Sequence, residues 1–333
     1  LLIKAFEEKQ DLTVHGKISS RLYYGLLNYI IPYLAFVFKM NNIKLEVTEI
    51  NCSGLGTRNL NSTGMSCGVD SLSTYLNNNY IQKVNQISCF TYFNVGSHGI
   101  YNSNDTLKRF DKRYENVKKF AVKEDKAIIE ISSNLDSILK SDFKSTHTFR
   151  AVSAVLIFQK LIGCYFYSSA FKFTQIHINP NDPTLFDHFL LQGLSTETTI
   201  FYSSMSQYSR EERIELISFF SDKINSYMDV CVSPKFYSNR LNCSTCYKCM
   251  ITQIVLELNG KLDKYEKSFD LEAFHKGRNK FIGKIILHKK NNLWFKNLYK
   301  YIMKNDAKYI RLYHFLLSFK LAIYSLKKRL KFL

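Results

Sequence analysis

The run Thr63-Gly64-Met65-Ser66-Cys67-Gly68-Val69-Asp70-Ser71 constrains this chain more than any other stretch. A strand-like segment, Arg58 to Met65, leads into small residues, and Asp70 to Asn77 then has the pattern of a helix. At such a strand-to-helix turn the first N–H groups of the helix have no partner inside it and point together at one spot. The helix dipole adds partial positive charge there, so a phosphate group fits. Gly68 has no side chain to hold a ligand away, and Ser66 and Ser71 bring hydroxyl donors. Asp70 suits this place if Mg²⁺ lies between it and the anion, or if it caps the helix. No Lys closes the run, which excludes a Walker A loop. The alternative is an ordinary Ser/Gly turn capped by Asp70.

Beyond the loop, strand and helix patterns alternate. Ile87 to Val95 and Ala127 to Ile131 read as strands, as does Phe173 to Ile178. Leu107 to Phe120, Ala151 to Cys164 and Arg210 to Ile224 read as helices, the last with Ile214, Ile217 and Ile224 on its apolar side. This order predicts an α/β fold with an open parallel sheet covered on both faces. Ligands of such sheets lie beyond the carboxyl ends of the strands. Three further stretches have that position, the last of them Ser195-Thr196-Glu197, for which capping of a helix start is the alternative. Asn94-Val95-Gly96-Ser97-His98-Gly99 follows the second strand; its glycines admit a nucleotide, and His98 either contacts phosphate or substrate or is a surface-loop histidine. Ser132 to Asn134 follows the third. Arg210 and Arg213, taken by themselves, are solvated helix charges paired with Glu211, Glu212 and Glu215. His147 and Arg150 are weaker candidates of the same kind.

Eight cysteines are present, and four gather within nineteen positions: Cys231, Cys243, Cys246 and Cys249. Four thiolates is the count a tetrahedral structural Zn²⁺ requires. Three cysteines spaced by three converge from a turn and the first turn of a helix, and Ser233-Pro234 supplies the bend that returns the fourth. A closed four-Cys site has no open position for substrate, so its zinc would hold structure. Unliganded thiols in a loop are the alternative. Cysteine usage of this kind suits a reducing, cytoplasmic compartment better than a secreted disulfide scaffold.

The Ser66–Ser71 loop resembles the SGG[VL]DS loop of the PP-loop ATP pyrophosphatases, with Cys67 standing where that family usually has Gly. Together with Cys…Cys-x2-Cys-x2-Cys, it resembles 7-cyano-7-deazaguanine synthase-like proteins over roughly residues 51–271. The stretch from Asn242 to Leu271 looks still more like a PP-loop subgroup with members in surface-polysaccharide gene clusters. The resemblance implies an adenine-nucleotide α-hydrolase-like fold, MgATP in the loop, and structural zinc on the four cysteines. It implies that Ser66, Cys67, Gly68, Val69, Asp70, Ser71, Asn94, Gly96, Ser97, His98, Ser132 and Arg213 face the nucleotide. Asp70, Ser71 and Arg210 would serve catalysis, Arg210 at the pyrophosphate. The implied reaction is adenylation of a carboxylate or carbonyl-type acceptor, followed by attack of a nitrogen nucleophile, with ammonia free or delivered by a partner. A variant is sulfur transfer to tRNA, with Cys67 at a helix N-terminus and its pKa lowered. A third reading is a degenerate PP-loop scaffold, favoured by Cys67 and by the polar first strand (Arg58, Asn59, Asn61).

Charge divides the chain. The whole carries +18, yet from Phe274 to Leu333 sixteen Lys and Arg face one acid, Asp306, a net of +15. We therefore expect an N-terminal helical, apolar extension over 1–50, an ATP-binding domain with the cysteines over 51–273, and a basic, aromatic-rich helical tail over 274–333. The tail suits an anionic membrane surface, nucleic acid or an acidic partner, or packs on the body with its lysines in water. A peripheral place at the membrane is thus open. Leu22 to Phe38 is seventeen residues without a formal charge; that is short of the ~20 apolar residues a span needs, and Pro32 would kink it. A buried or surface-packed helix is expected there.

Overall fold

Strand and helix segments alternate as the pattern requires, and the strands pair in parallel. The computed structural model describes residues 1–56, 58–99, 103–233 and 240–330, the last four of these without their side chains. Among the described residues the strands are β1 (Leu12–Ser19), β2 (Leu45–Asn51), β3 (Leu60–Gly64), β4 (Cys89–Asn94), β5 (Ala127–Ser132), β6 (Ile162–Ser168) and β7 (Ile200–Ser204). β1 and β2 form a parallel pair, and the other five form one parallel sheet in the order β5-β4-β3-β6-β7. The chain divides into two compact units. One is Leu1–Ser66 with Asp70–Gln207 and holds both sheets; the other is Cys67–Val69 with Tyr208–Leu333 and is helical.

β3 lies at the centre although its sequence is polar. Its buried Ser62 donates to the Cys89 carbonyl at 3.0 Å and its buried Thr63 to the Phe166 carbonyl at 2.6 Å. Each hydroxyl thus finds a partner on a flanking strand, which removes the desolvation cost that would otherwise bar a polar central strand. On β4, Phe90 anchors the helices on either side of it in sequence. Its ring meets Tyr75 of helix Val69–Leu76 at 5.1 Å and stacks on Phe120 of helix Asn104–Lys123 at 6.0 Å. Tyr75 also donates to Glu124 at 2.8 Å, and Tyr80 donates to the same carboxylate.

Three expectations are corrected. Ala151 to Cys164 is not one helix: the helix runs Phe143–Leu156, and the chain re-enters the sheet as β6. Gly163 weakens a helix and fits β6, where a Cβ would come within 2.6 Å of the Asn59 side-chain oxygen. Phe173 to Ile178 is not a strand but a 3₁₀ turn over Phe173–Gln175, closed by the Lys172 N–H donating to the Gln175 side chain at 3.1 Å. The segment 1–50 is not purely helical, since β1 and β2 lie in it.

Leu22 to Phe38 is helical and surface-packed. It runs as Ser20–Gly25, a π-turn Leu26–Ile30, and Ile31–Phe38 with Pro32 in the first turn. The missing N–H and the ring of Pro32 interrupt the regular ladder, and the π-turn precedes them. Leu26, Ile30, Ile31 and Leu34 share a core with Val155, Ile162, Leu190 and Phe201, while Tyr24, Tyr29 and Phe36 face out. Gly25 is required here: a Cβ on it would lie 2.1 Å from the Gly193 carbonyl oxygen. No helix among the described residues is long and apolar enough to cross a membrane.

The helical unit contains Arg210–Ser218, Ser221–Ile224, Tyr247–Leu258, Leu271–His288, Leu293–Asn305 and Leu312–Leu330. Ser209 and Glu212 close a reciprocal cap at the first of these, as the Ser-x-x-Glu spacing dictates. Ile214, Ile217 and Ile224 are buried, as their spacing predicts.

Candidate functional site

In the order β5-β4-β3-β6-β7 the connections leave β3 toward one edge and β6 toward the other. The order therefore reverses between these neighbours, and in open parallel sheets ligands bind beyond the carboxyl ends of the strands at such a reversal. The loop from Met65 opens there. The Met65 N–H donates to the Thr91 carbonyl at 2.9 Å, which fixes where the loop leaves the sheet. Under it, Tyr165 of β6 shares a 2.8 Å hydrogen bond with Thr91. A Cβ on Gly64 would sit 3.1 Å from that phenol oxygen.

Ser66 is exposed and Ser71 buried. Their hydroxyls lie 3.3 Å apart, and the Ser66 N–H donates to the Ser71 oxygen at 3.3 Å. The two hydroxyls therefore converge across the first turn of helix Val69–Leu76, whose first turn also holds Asp70. Cys67 is buried and adopts φ 56°, the left-handed region that costs an ordinary residue roughly 1–2 kcal/mol. Its carbonyl accepts from the Asp229 N–H at 2.9 Å. Burial pushes its thiol well above the ordinary range, and the Asp229 charge adds to this. The expectation of a lowered Cys67 pKa is thereby corrected: loss of solvation outweighs the helix N-terminus.

Asn94 and Ser132 are register partners at the ends of β4 and β5, and the Asn94 amide reaches the Ser132 hydroxyl at 3.4 Å. Gly96 has φ 106°, and a Cβ there would lie 2.5 Å from both Arg150 and Asp136, so glycine is required. Ser97 donates to the Phe93 carbonyl at 3.2 Å. His98 is buried, not on the loop surface. Its Nε2 lies 2.9 Å from the Tyr92 hydroxyl and its Nδ1 2.9 Å from Ser97. Burial lowers its pKa to about 4, with Arg113 and Arg109 acting in the same direction. Both ring nitrogens thus have protein partners.

Arg210 and Arg213 belong to the helical unit and are buried, not solvated. The Arg210 guanidinium stands 5.5 Å from the centre of the Trp294 ring. Glu211 is buried as well, and neither carboxylate oxygen has a hydrogen-bond partner among the described residues. Burial raises its pKa and outweighs every neighbouring group that lowers it. A raised carboxyl pKa in the fold means that ionised Glu211 destabilises the protein above that pKa, and that this cost vanishes as pH falls toward the unfolded value, about 4.3. Glu211→Gln is accordingly expected to melt higher than the wild type in mildly alkaline buffer and to converge with it in acid. Parallel thermal melts across that range decide the point; equal melting at both ends contradicts it.

The four cysteine sulfurs lie within 4.8 Å of one another. Cys243 to Cys249 is 3.9 Å and Cys246 to Cys249 is 3.4 Å. A tetrahedron with Zn–S bonds of ~2.3 Å has edges of about 3.8 Å, so the spacing is compatible with a structural metal such as zinc. Backbone N–H groups surround the sulfurs: Ser233 and Cys243 donate to Cys231 at 3.4 Å, and Cys246 to Cys243 at 3.1 Å. Ser244, at φ 60°, makes the tight turn between Cys243 and Cys246, and its side chain accepts from the Asp270 N–H at 2.7 Å. Asn242 braces the turn, donating to the Met228 and Ser268 carbonyls and accepting from Val230. Without metal the sulfurs share protons. Hydrogen bonds, from Cys231 above all, lower Cys246 to about 6 and hold Cys243 well below the thiol range; Cys231 and Cys249 are pushed up in return. Pro234, invoked for the return of Cys231, lies outside the described residues.

Near β6 and β7 lie polar groups that the sequence reading did not single out, Tyr167, Asp182, Asp187 and His188, the first two of them beside the weaker candidate His147. Tyr167 lies 3.2 Å from His147 Nδ1, whose Nε2 is 3.8 Å from Asp182. Asp187 is buried 3.1 Å from His188 Nδ1. No spacing rule joins Tyr167 of β6, His147 of helix Phe143–Leu156, Asp182 of the turn before Pro183 and Asp187 of helix Asp187–Gly193, and only β7 (IFYSS, aromatic and β-branched) offered a signal. In comparisons with protein-family models, with curated proteins and with solved structures, nothing matches this chain.

Proposed function

We propose that the sheet is of the PP-loop type and that the chain is an adenylate-forming ATP pyrophosphatase. The observation that carries this reading is the loop at the reversal between β3 and β6, where the hydroxyls of Ser66 and Ser71 converge at 3.3 Å over a helix N-terminus. Backbone N–H groups and the two hydroxyls bind the β- and γ-phosphates. Asp70, an oxygen donor in the same turn, would hold Mg²⁺, whose charge would offset that of the phosphates. A carboxylate oxygen of the acceptor attacks the α-phosphorus, the bond to the β-phosphate oxygen breaks, and pyrophosphate leaves. A nitrogen nucleophile then attacks the acyl carbon, loses a proton, and AMP departs. The residues contribute position and charge stabilisation. Arg210 and Arg213 lie in the helical unit, and the proposal rests on Ser66, Asp70 and Ser71. Sulfur transfer through Cys67 has less support, because burial suppresses its thiolate.

Isothermal titration with a non-hydrolysable ATP analogue and Mg²⁺ tests the reading. Binding is expected in the wild type, and Ser71→Ala is expected to weaken it about tenfold, the worth of one charge-assisted hydrogen bond. Absence of binding in the folded wild type overturns the enzyme and leaves the scaffold.

A further inference from the structure

We propose that helix Leu312–Leu330 is an interfacial anchor that lays the protein on an anionic lipid bilayer. Leu312 is 79% exposed, Phe315 44%, Leu316 61%, Phe319 68%, Ile323 41% and Leu326 60%. At 100° per residue these six positions fall within an arc of about 100°, a continuous apolar stripe some 21 Å long. The opposite side is taken. His314 is buried, with Nε2 3.3 Å from Asn279, and Leu317 packs over Gly283 of helix Leu271–His288, where a Cβ would meet it at 3.2 Å. The helix is thus held through His314 and Leu317 and presents this apolar stripe to solvent. Contiguous exposed apolar surface of this kind marks an interaction site.

Charge selects the occupant. Exposed Arg311 and Lys320 border the stripe on its two sides, and Lys327, Lys328 and Arg329 follow in the sequence. From Phe274 onward Asp306 is the only acid, against sixteen Lys and Arg. A nucleic-acid surface would put the basic residues at the centre; here they form the margin and the centre is apolar. A second copy of the same face would bring like charges together. An apolar strip with cationic margins and Phe and Leu at its middle matches the boundary between lipid headgroups and acyl chains. Because no described helix crosses a membrane, the helix lies along the surface. This inference is independent of any reading of the nucleotide loop.

Flotation of the full chain with vesicles tests it. Binding to phosphatidylcholine vesicles containing phosphatidylglycerol is expected to exceed binding to phosphatidylcholine alone by at least about tenfold, and to weaken with added salt. Leu316→Ser with Phe319→Ser changes only exposed positions, so circular dichroism stays unchanged while vesicle binding falls about tenfold or more. Lys320→Glu is expected to lower binding to the anionic vesicles alone. Wild-type protein that stays with neither vesicle overturns the proposal. So does a double variant that floats as well as the wild type, or self-association in sedimentation that the double variant abolishes.

Discussion

Cys249→Ser is expected to strip the chain of bound metal and to unfold the segment around residues 231–249, whereas Cys164→Ser leaves both metal content and melting in place. Structural zinc on thiolates contributes roughly 10–16 kcal/mol of apparent binding free energy near neutral pH, and in small sites that energy is folding energy. The cluster has the features of such dependence. Cys249 is buried, its sulfur is 3.4–3.9 Å from two others, and the Ser244 turn carries a left-handed φ. Four thiolates this close would repel one another with no cation between them, so losing the metal forces protons onto some of the sulfurs. Elemental analysis of protein from zinc-supplemented culture should give one equivalent in the wild type and in Cys164→Ser. A chelator should lower the melting temperature of these two proteins and leave Cys249→Ser unaffected. Metal-free wild type that melts unchanged with chelator sinks the zinc assignment.

Arg150→Ala is expected to cost about 3–5 kcal/mol, the range for removing one partner of a buried ion pair. Arg150 is one of the largest fully buried side chains. It donates through Nε to Thr146 at 2.8 Å, through its terminal nitrogens to the Val95 carbonyl at 3.1 Å and the Ser141 carbonyl at 3.0 Å, and to Asp136. One guanidinium thus ties the turn after β4 to the stretch after β5, and Gly96 is glycine because that guanidinium fills its space. Arg150→Lys keeps the charge but loses the planar fork, so most of the loss should persist. Combining Arg150→Ala with Asp136→Asn should recover part of it, since the orphaned carboxylate disappears. Urea unfolding of the wild type, Arg150→Ala, Asp136→Asn and the double variant measures the cycle. Additive losses would show that the pair does not act as one unit.

Much of the sheet was legible in the sequence because local rules govern it. β4 and β5 read as strands from their β-branched and aromatic residues, and the helix after the loop read from its period. β6 lies inside an apolar run that period alone cannot assign, and Gly163 is the residue in it that disfavours a helix. β1 and β2 were hidden because a two-stranded parallel pair depends on segments 33 residues apart in sequence, Leu12 opposite Leu45. Arg210, Glu211 and Arg213 read as solvated charges because alternating signs on a helix usually are; burial is a property of the surrounding fold. His98 was misplaced for the same reason, since Tyr92 and Phe110 receive it only after β4 and the following helix have packed.

By itself the sequence determined the strand-to-helix turn at Ser66–Ser71, the four cysteines at metal-ligand spacing, and the basic excess after Phe274. These rest on residue order, spacing and charge along the chain, which do not depend on which surfaces meet in the fold. Only the tertiary structure decided that β3 and β6 are neighbours, that His98 and Glu211 lose their water, and that helix Leu312–Leu330 turns its apolar side outward. Each of these follows from which surfaces meet, and desolvation is set by that meeting, not by the residue itself.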